Sequence, residues 1–264
     1  MTRDVLSLWP EGDGRNQDDQ GKPQFSVFLP AGTKARSGKA VIVCPGGGYE
    51  HLADHEGDCF AELFAERGHV AFVLRYRVRP HRFPAPQIDA ARAVRLVRSL
   101  SAQWGVDPGA VGLMGFSAGG HLACTVGTQP DLCRGEPDDL AERFSARPDF
   151  MILAYPVISL LPPCAHEGSA ANLLGPNPSP RQREELSGHC HVTPETPQTF
   201  LFHTADDPSV PVENSLSFAA ACRARGVPVE LHVFSHGPHG VGMAREYPHL
   251  RGWTNLLLDW MERF

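Results

Sequence analysis

No lysine-rich or arginine-rich run occurs anywhere in the 264 residues, and charges of both signs are scattered to a net −6. That leaves no electrostatic footprint for nucleic acid or an anionic membrane surface, so neither is an expected partner. No apolar run reaches the length of a membrane span. The start, Met1-Thr2-Arg3-Asp4-Val5, lacks the apolar core of a signal peptide, which reads as a soluble, cytoplasmic protein. The seven cysteines follow no metal or redox spacing. Cys44, Cys124 and Cys222 lie inside apolar segments, where a free thiol acts as a small hydrophobe, and this suits a reducing compartment. The acidic pair Asp18-Asp19 lacks the ligand spacing of a calcium loop. His189-Cys190-His191 is too tightly spaced for zinc and has no second ligand pair. No metal and no cofactor is expected, and no pattern speaks to an oligomeric interface.

What is present is a globular pattern. With 42% hydrophobic residues the chain can bury one large core, and residues 1–264 are expected to form a single α/β domain. Residues 1–24 read as an irregular entry, and Phe25–Leu29 as an edge-type strand ending at Pro30. Ala40–Cys44 is a continuous apolar run of the kind a central parallel strand needs, and similar runs cover 70–74, 111–114, 150–155 and 199–203. Helical periodicity covers 58–67, 88–104, 213–225 and 250–264, and 229–234 alternates as a late strand. Strand and helix alternate, which predicts a mostly parallel sheet with helices on both faces. Arg75 and Arg77 end one strand and are expected to make structural pairs. Arg92, Arg95 and Arg98 repeat as a solvated or salt-bridged stripe. Residues 156–197 are rich in proline, glycine and polar residues without clear periodicity, which reads as a small lid insertion; His166, Glu167 and Ser169 could face substrate from it.

The sharpest signal is Gly115-Phe116-Ser117-Ala118-Gly119-Gly120, at the seam of an apolar strand and a helix. In Gly-x-Ser-x-Gly the serine sits on a tight turn, and the glycines are required because a β-carbon would strike the neighbouring strand and helix. Pro45-Gly46-Gly47-Gly48-Tyr49 follows a buried strand directly. Its amides at Gly47 and Gly48, with that of Ala118, are candidate oxyanion donors. Downstream come the acids Asp206 and Asp207, both on a loop after a strand, and four histidines. His232 lies within a strand and His249 opens the last helix. His236 and His239 share the right loop, and Gly240 after His239 permits the turn that would swing its ring toward Ser117. The local sequence does not separate Asp206 from Asp207. A hydroxyl is a poor nucleophile until a histidine takes its proton, and a carboxylate fixes that histidine's tautomer; the set predicts acyl transfer without a cofactor. The order serine, acid, histidine is that of an α/β-hydrolase.

Residues 41–49, His55-Glu56-Gly57, Leu74-Arg75-Tyr76-Arg77, residues 115–123, 169–175 and 203–211, and Gly237-Pro238-His239-Gly240 together resemble the acetyl-esterase branch of the α/β-hydrolases. These are relatives of acetylxylan esterases and other carbohydrate O-acetyl esterases. In that family the acid precedes a Val-Pro pair by three residues, which selects Asp207 before Val210-Pro211. Hormone-sensitive-lipase-like members begin the oxyanion motif with histidine where this chain has Pro45, and that weakens a lipase reading. The resemblance implies a serine esterase with the triad Ser117, Asp207 and His239. Its substrates would be small acyl esters, above all acetyl groups on sugars or oligosaccharides. A general short-chain carboxylesterase or peptidase is the alternative among enzymes. A non-catalytic ligand-binding protein on the same fold is the alternative outside them.

Overall fold

The computed structural model describes residues 3–16, 22–30, 37–132, 134 and 139–264. Asp18-Asp19 lies outside the described residues. The strands are β1 (Arg3–Ser7), β2 (Gln24–Phe28), β3 (Ala40–Cys44), β4 (Val70–Arg75), β5 (Val111–Phe116), β6 (Phe150–Ala154), β7 (Gln198–Thr204) and β8 (Val229–Phe234). The α-helices are α1 (Asp58–Glu66), α2 (Ala85–Ser99), α3 (Ser101–Trp104), α4 (Ser117–Thr128), α5 (Glu167–Leu174), α6 (Pro180–Glu185), α7 (Glu213–Ala224) and α8 (Trp253–Met261). The eight strands form one sheet in the order β1-β2-β4-β3-β5-β6-β7-β8. β2 runs antiparallel to both β1 and β4, and every pairing from β4 across to β8 is parallel.

Alternation within the central strands sends side chains into two apolar layers. Ile42, Leu113, Leu153 and Leu201 pack on one face with Val94 of α2, Leu122 of α4 and Phe218 of α7. Val43, Phe116, Ile152 and Phe202 pack on the other with Phe60 and Phe64 of α1 and Trp253 and Trp260 of α8. The indole of Trp253 stacks on Phe202 at 4.5 Å. These parallel strands are therefore wholly buried and point their C-terminal ends at one rim, where loops gather.

Three expectations are corrected. Residues 1–24 are not merely irregular: Arg3–Ser7 forms β1, so the strand expected over Phe25–Leu29, found as Gln24–Phe28, is paired on both sides and the sheet edge lies one strand further out. A short strand carrying Arg3 and Asp4 shows too little alternation to be read. The predicted 88–104 helix begins earlier, at Ala85, and breaks at Leu100 into α2 and α3, closed by Gly105 at φ +65°. His249 does not open the last helix, which starts at Trp253.

Arg77 and the stripe arginines act as structural ions, whereas Arg75, exposed at the end of β4, makes no structural pair among the described residues. Arg77 grips buried Asp89 at 2.7 Å. The stripe of Arg92, Arg95 and Arg98 is salt-bridged yet buried rather than solvated, against Asp139 at 2.6 Å, Glu142 at 3.1 Å and Asp149 at 2.7 Å. Among the described residues no helix is long and apolar enough to cross a membrane.

Residues 156–197 leave the sheet between β6 and β7 and are tied down along their length. Asn214 Oδ1 accepts the amides of Ile158 and Ser159, and the Asn172 side-chain amide donates to the Gly48 carbonyl at 2.9 Å. Buried His121 donates from Nε2 to the Leu186 carbonyl and accepts the Tyr49 hydroxyl at Nδ1. Burial lowers its pKa to about 4, which keeps it neutral in that role.

Candidate active site

Ser117 lies at the junction of β5 and α4 with φ +50°, a left-handed value costing a non-glycine residue about 1–3 kcal/mol. The surrounding glycines allow this conformation. A β-carbon on Gly115 would strike the Gly119 carbonyl, and one on Gly119 would strike the Cys44 carbonyl at the end of β3. On Gly120 it would sit 2.7 Å from Cβ of Pro156. The turn is thus pressed between β3 and the segment leaving β6, and Ser117 Oγ emerges at the sheet rim.

His239 reaches it from the loop after β8. Its Nε2 lies 2.8 Å from Ser117 Oγ, and its Nδ1 lies 2.7 Å from Asp207 Oδ2. With Nδ1–H donating to the carboxylate, Nε2 is left to accept the serine hydroxyl. The Asp207 side chain is fully buried. Its Oδ1 accepts the amides of Ser209 at 2.8 Å and Val210 at 2.9 Å. Burial opposes its charge, but His203, His239 and the Val210 amide outweigh that and hold the carboxyl well below the usual carboxylate range. His203 is itself fixed: Nε2 faces the Val210 carbonyl at 3.0 Å and Asp207 Oδ2 at 3.5 Å, while Nδ1 meets the Ser215 hydroxyl at 2.8 Å.

The other acid and the other histidine find each other instead. Asp206 Oδ2 pairs with His236 Nδ1 at 3.0 Å on the surface, and Asp206 Oδ1 accepts the Gly237 amide at 2.8 Å. His232 pairs with Glu230 at 2.8 Å, and His249 bonds the His236 carbonyl, so neither approaches Ser117.

The Gly46–Gly48 loop passes against the elbow, since a β-carbon on Gly46 would sit 3.0 Å from Cβ of Ser117. Gly47 and Gly48 have φ +114° and +65°, and the space beside Gly48 is open. The amides of Gly47, Gly48 and Ala118 donate to no protein acceptor among the described residues, whereas that of Gly46 is committed to Glu56 Oε2 at 2.8 Å.

Glu56, quoted above only within the resemblance, and Tyr155 were not singled out by sequence reasoning. The Tyr155 hydroxyl donates to Glu56 Oε1 at 2.8 Å and accepts the Gly242 amide at 3.0 Å, while its ring meets His239 edge-on at 5.1 Å. One buried pair therefore joins the glycine loop to the histidine loop. Burial raises the Glu56 carboxyl above its ordinary value, against the Tyr155 and Gly46 hydrogen bonds. His55 Nε2 adds a bond to the Gly240 carbonyl at 2.9 Å. A glutamate beside a histidine and a tyrosine closing a strand carry no local pattern that announces such a link.

From 156–197, His166 caps α5 by accepting the Ser169 amide at Nδ1, and burial, with the nearby His239, lowers its pKa. Ser169 is buried beneath it, and Glu167 turns outward to Arg183 at 2.7 Å. Of these three, His166 is the one whose electrostatics reach His239 and Asp207. No cluster of metal-ligating side chains occurs among the described residues.

Residues 25–222 match the family BD-FAE. The chain is 36% identical over 255 residues to endo-1,4-beta-xylanase B of Butyrivibrio fibrisolvens, a match covering 94% of this chain and 39% of that protein. It is 34% identical over 232 residues to an acetylxylan esterase of Xylanibacter ruminicola, covering 86% and 45%. The chain thus spans less than half the length of these curated relatives. A solved acetyl ester-xyloside bifunctional hydrolase from Caldicellulosiruptor lactoaceticus superposes with a TM-score of 0.91 at 46% identity, covering 98% of this chain and 95% of that one.

Proposed function

Because the chain belongs to the BD-FAE family and has the α/β-hydrolase fold, we propose that it is a carboxylic ester hydrolase that removes small acyl groups, above all acetyl groups, from sugar hydroxyls. The acetyl-ester and xylan chemistry in its relatives' names supports the substrate class. The observation that carries the mechanism is the unbroken relay from Ser117 Oγ through His239 to Asp207, at 2.8 and 2.7 Å.

In this reading Ser117 Oγ attacks the ester carbonyl as its proton passes to His239 Nε2. The negative charge that develops on the carbonyl oxygen is met by the free amides of Gly47, Gly48 and Ala118, donors already oriented before reaction. Asp207 stabilises the imidazolium and holds its tautomer. Collapse of the tetrahedral adduct breaks the bond to the alcohol oxygen, which takes the proton from Nε2 and leaves. Water then attacks the acyl-Ser117, again giving its proton to His239, and the acid departs as Ser117 is re-protonated.

Fluorophosphonate labelling of wild type and Ser117→Ala tests the nucleophile: label on the first and none on the second is expected. An unlabelled wild type, or label that survives the substitution, overturns the mechanism. Acetate release from acetylated oligosaccharides, set against turnover of acetyl and butyryl nitrophenyl esters, tests the substrate. Acetyl preference supports the reading, and butyryl preference overturns it.

A further inference from the structure

Two cavities open at the rim where the triad sits, on the sides of opposite helical layers. One, of about 340 Å³, is lined by Arg79, Arg82, Ala171, Asn172 and Pro176, beside α5, whose Ala170 and Leu173 belong to the layer of α2, α4 and α7. Asn172 ties it to the oxyanion loop through the Gly48 carbonyl. The other, of about 440 Å³, has His239 in its wall, together with His55 and Cys59 near the start of α1 and residues 240–243 and 245–247. α1 belongs to the opposite layer, with α8.

The chemistry decides which half of an ester goes where. The proton that His239 Nε2 takes from Ser117 must return to the alcohol oxygen, so the alcohol lies on the imidazole side and the acyl carbon between Ser117 and the glycine amides. Of the two cavities, the one walled by His239 is the one that touches a residue of the triad. Its volume falls within the range of small-molecule sites, far more than an acetyl group would need.

The lining is mixed. Val241, Met243 and half-buried Tyr247 give it an apolar floor, continuous with the α1 and α8 core layer. Arg245, Glu246 and Tyr247 present a guanidinium, a carboxylate and a phenol. None of these side chains makes a hydrogen bond or ion pair with a protein partner among the described residues. Opposite charges on adjacent residues leave the wall near neutrality, which disfavours an anionic or cationic alcohol. Donors and acceptors beside a flat aromatic face suit a neutral ring with adjacent hydroxyls.

Resting on the reading of Ser117, His239 and Asp207 as the triad, we propose that the His239 cavity receives the alcohol half of the ester, and that Arg245, Glu246 and Tyr247 select a neutral, hydroxyl-rich alcohol. They are specificity residues, remote from the bonds that break. An alcohol without hydroxyls still reaches Ser117 but gains nothing from them.

The test uses the full chain carrying Arg245→Met, Glu246→Gln and Tyr247→Phe, singly and combined, with mono-acetylated xylobiose and 4-nitrophenyl acetate as substrates. For the combined variant kcat/KM on the sugar ester is expected to fall about tenfold or more, mainly through KM, the scale of one or two lost hydrogen bonds. On 4-nitrophenyl acetate it is expected to stay within about twofold, which also reports an intact fold and triad. Variants that keep full selectivity for the sugar ester, or that lose both substrates equally, overturn the inference. So does a selective loss on Arg79→Gln or Arg82→Gln in place of these variants, because it would put the sugar in the other cavity. A wild type inactive on both esters overturns the triad reading and this one with it, whereas an active wild type with unselective variants overturns this one alone.

Discussion

Two carboxylate–histidine pairs sit side by side after β7 and β8, and only one of them meets Ser117. Asp207 and His239 are joined at 2.7 Å with the carboxylate fully buried. Asp206 and His236 are joined at 3.0 Å with both side chains in water, 52% and 77% exposed. The chemical groups are the same, so the difference lies in what surrounds them. Asp207 is held by two loop amides and flanked by buried His203, and its imidazole partner lies edge-on to Tyr155. Asp206 holds the Gly237 amide and a solvated ring. A charge pair in water gains little, whereas a buried and fully bonded one keeps its geometry and its charge.

The largest test of this contrast is removal of the groups at the reacting end. Ser117→Ala and His239→Ala are each expected to lower kcat about a millionfold, as when a triad acts as a unit, and the double variant should lose little more. Next comes the acid. Asp207→Asn is expected to cost about ten-thousandfold in kcat, because an amide no longer fixes the tautomer that lets Nε2 accept a proton. The same change also alters the pH dependence of folding. The Asp207 pKa is depressed in the folded state, so near and below the ordinary aspartate value the unfolded chain binds more protons. The stability that Asp207 contributes is present above that value and is lost as pH falls toward the folded one. The gap in unfolding midpoint between wild type and Asp207→Asn should therefore narrow between about pH 5 and pH 3. A gap that stays constant would mean that its charge is not what the loop holds.

How much of this was legible follows from the kind of constraint each residue obeys. The elbow was readable because Gly115, Gly119 and Gly120 record collisions, and only glycine answers them. The central strands were readable because burial on both faces leaves unbroken apolar runs such as Ala40–Cys44. Asp206 and Asp207 were not separable locally, since adjacent residues on one loop differ only in which way tertiary packing turns them; the spacing to Val210 in related chains made the choice. β1 was missed because its partner β2, and not its own pattern, makes it a strand. Glu56, Tyr155 and His203 were unreadable as a set, for their roles exist only where three loops meet.

The Glu56–Tyr155 link is the next test in size, because it belongs to the buried pair's surroundings and has no counterpart around Asp206. Both Glu56 oxygens accept hydrogen bonds, from the Gly46 amide and the Tyr155 hydroxyl. An amide at that position can satisfy only one of them, leaving a buried donor unpaired at about 1–3 kcal/mol. Glu56→Gln and Tyr155→Phe are each expected to lower kcat roughly tenfold to a hundredfold while fluorophosphonate still labels Ser117, and the double variant should be less than additive. Strict additivity in a double-mutant cycle would show that the two side chains act separately and that the two loops are not coupled through them.

The smallest effect is expected at the exposed pair, and that is what makes it informative. His236 and Asp206 share the acid–histidine chemistry and the same loops, so a catalytic role fixed by residue type and sequence position would give them a share of the turnover. A role fixed by burial gives them none. His236→Ala removes an exposed ring whose side chain, among the described residues, bonds only Asp206, and should leave kcat within about twofold and stability within about 0.5 kcal/mol. Asp206→Asn keeps an acceptor for the Gly237 amide, so the turn leading to His239 survives and activity should again stay within about twofold. A loss in Asp206→Asn that His236→Ala does not share would show that Asp206 works through the Gly237 amide to aim His239. A comparable large loss in both would instead overturn the assignment of the base.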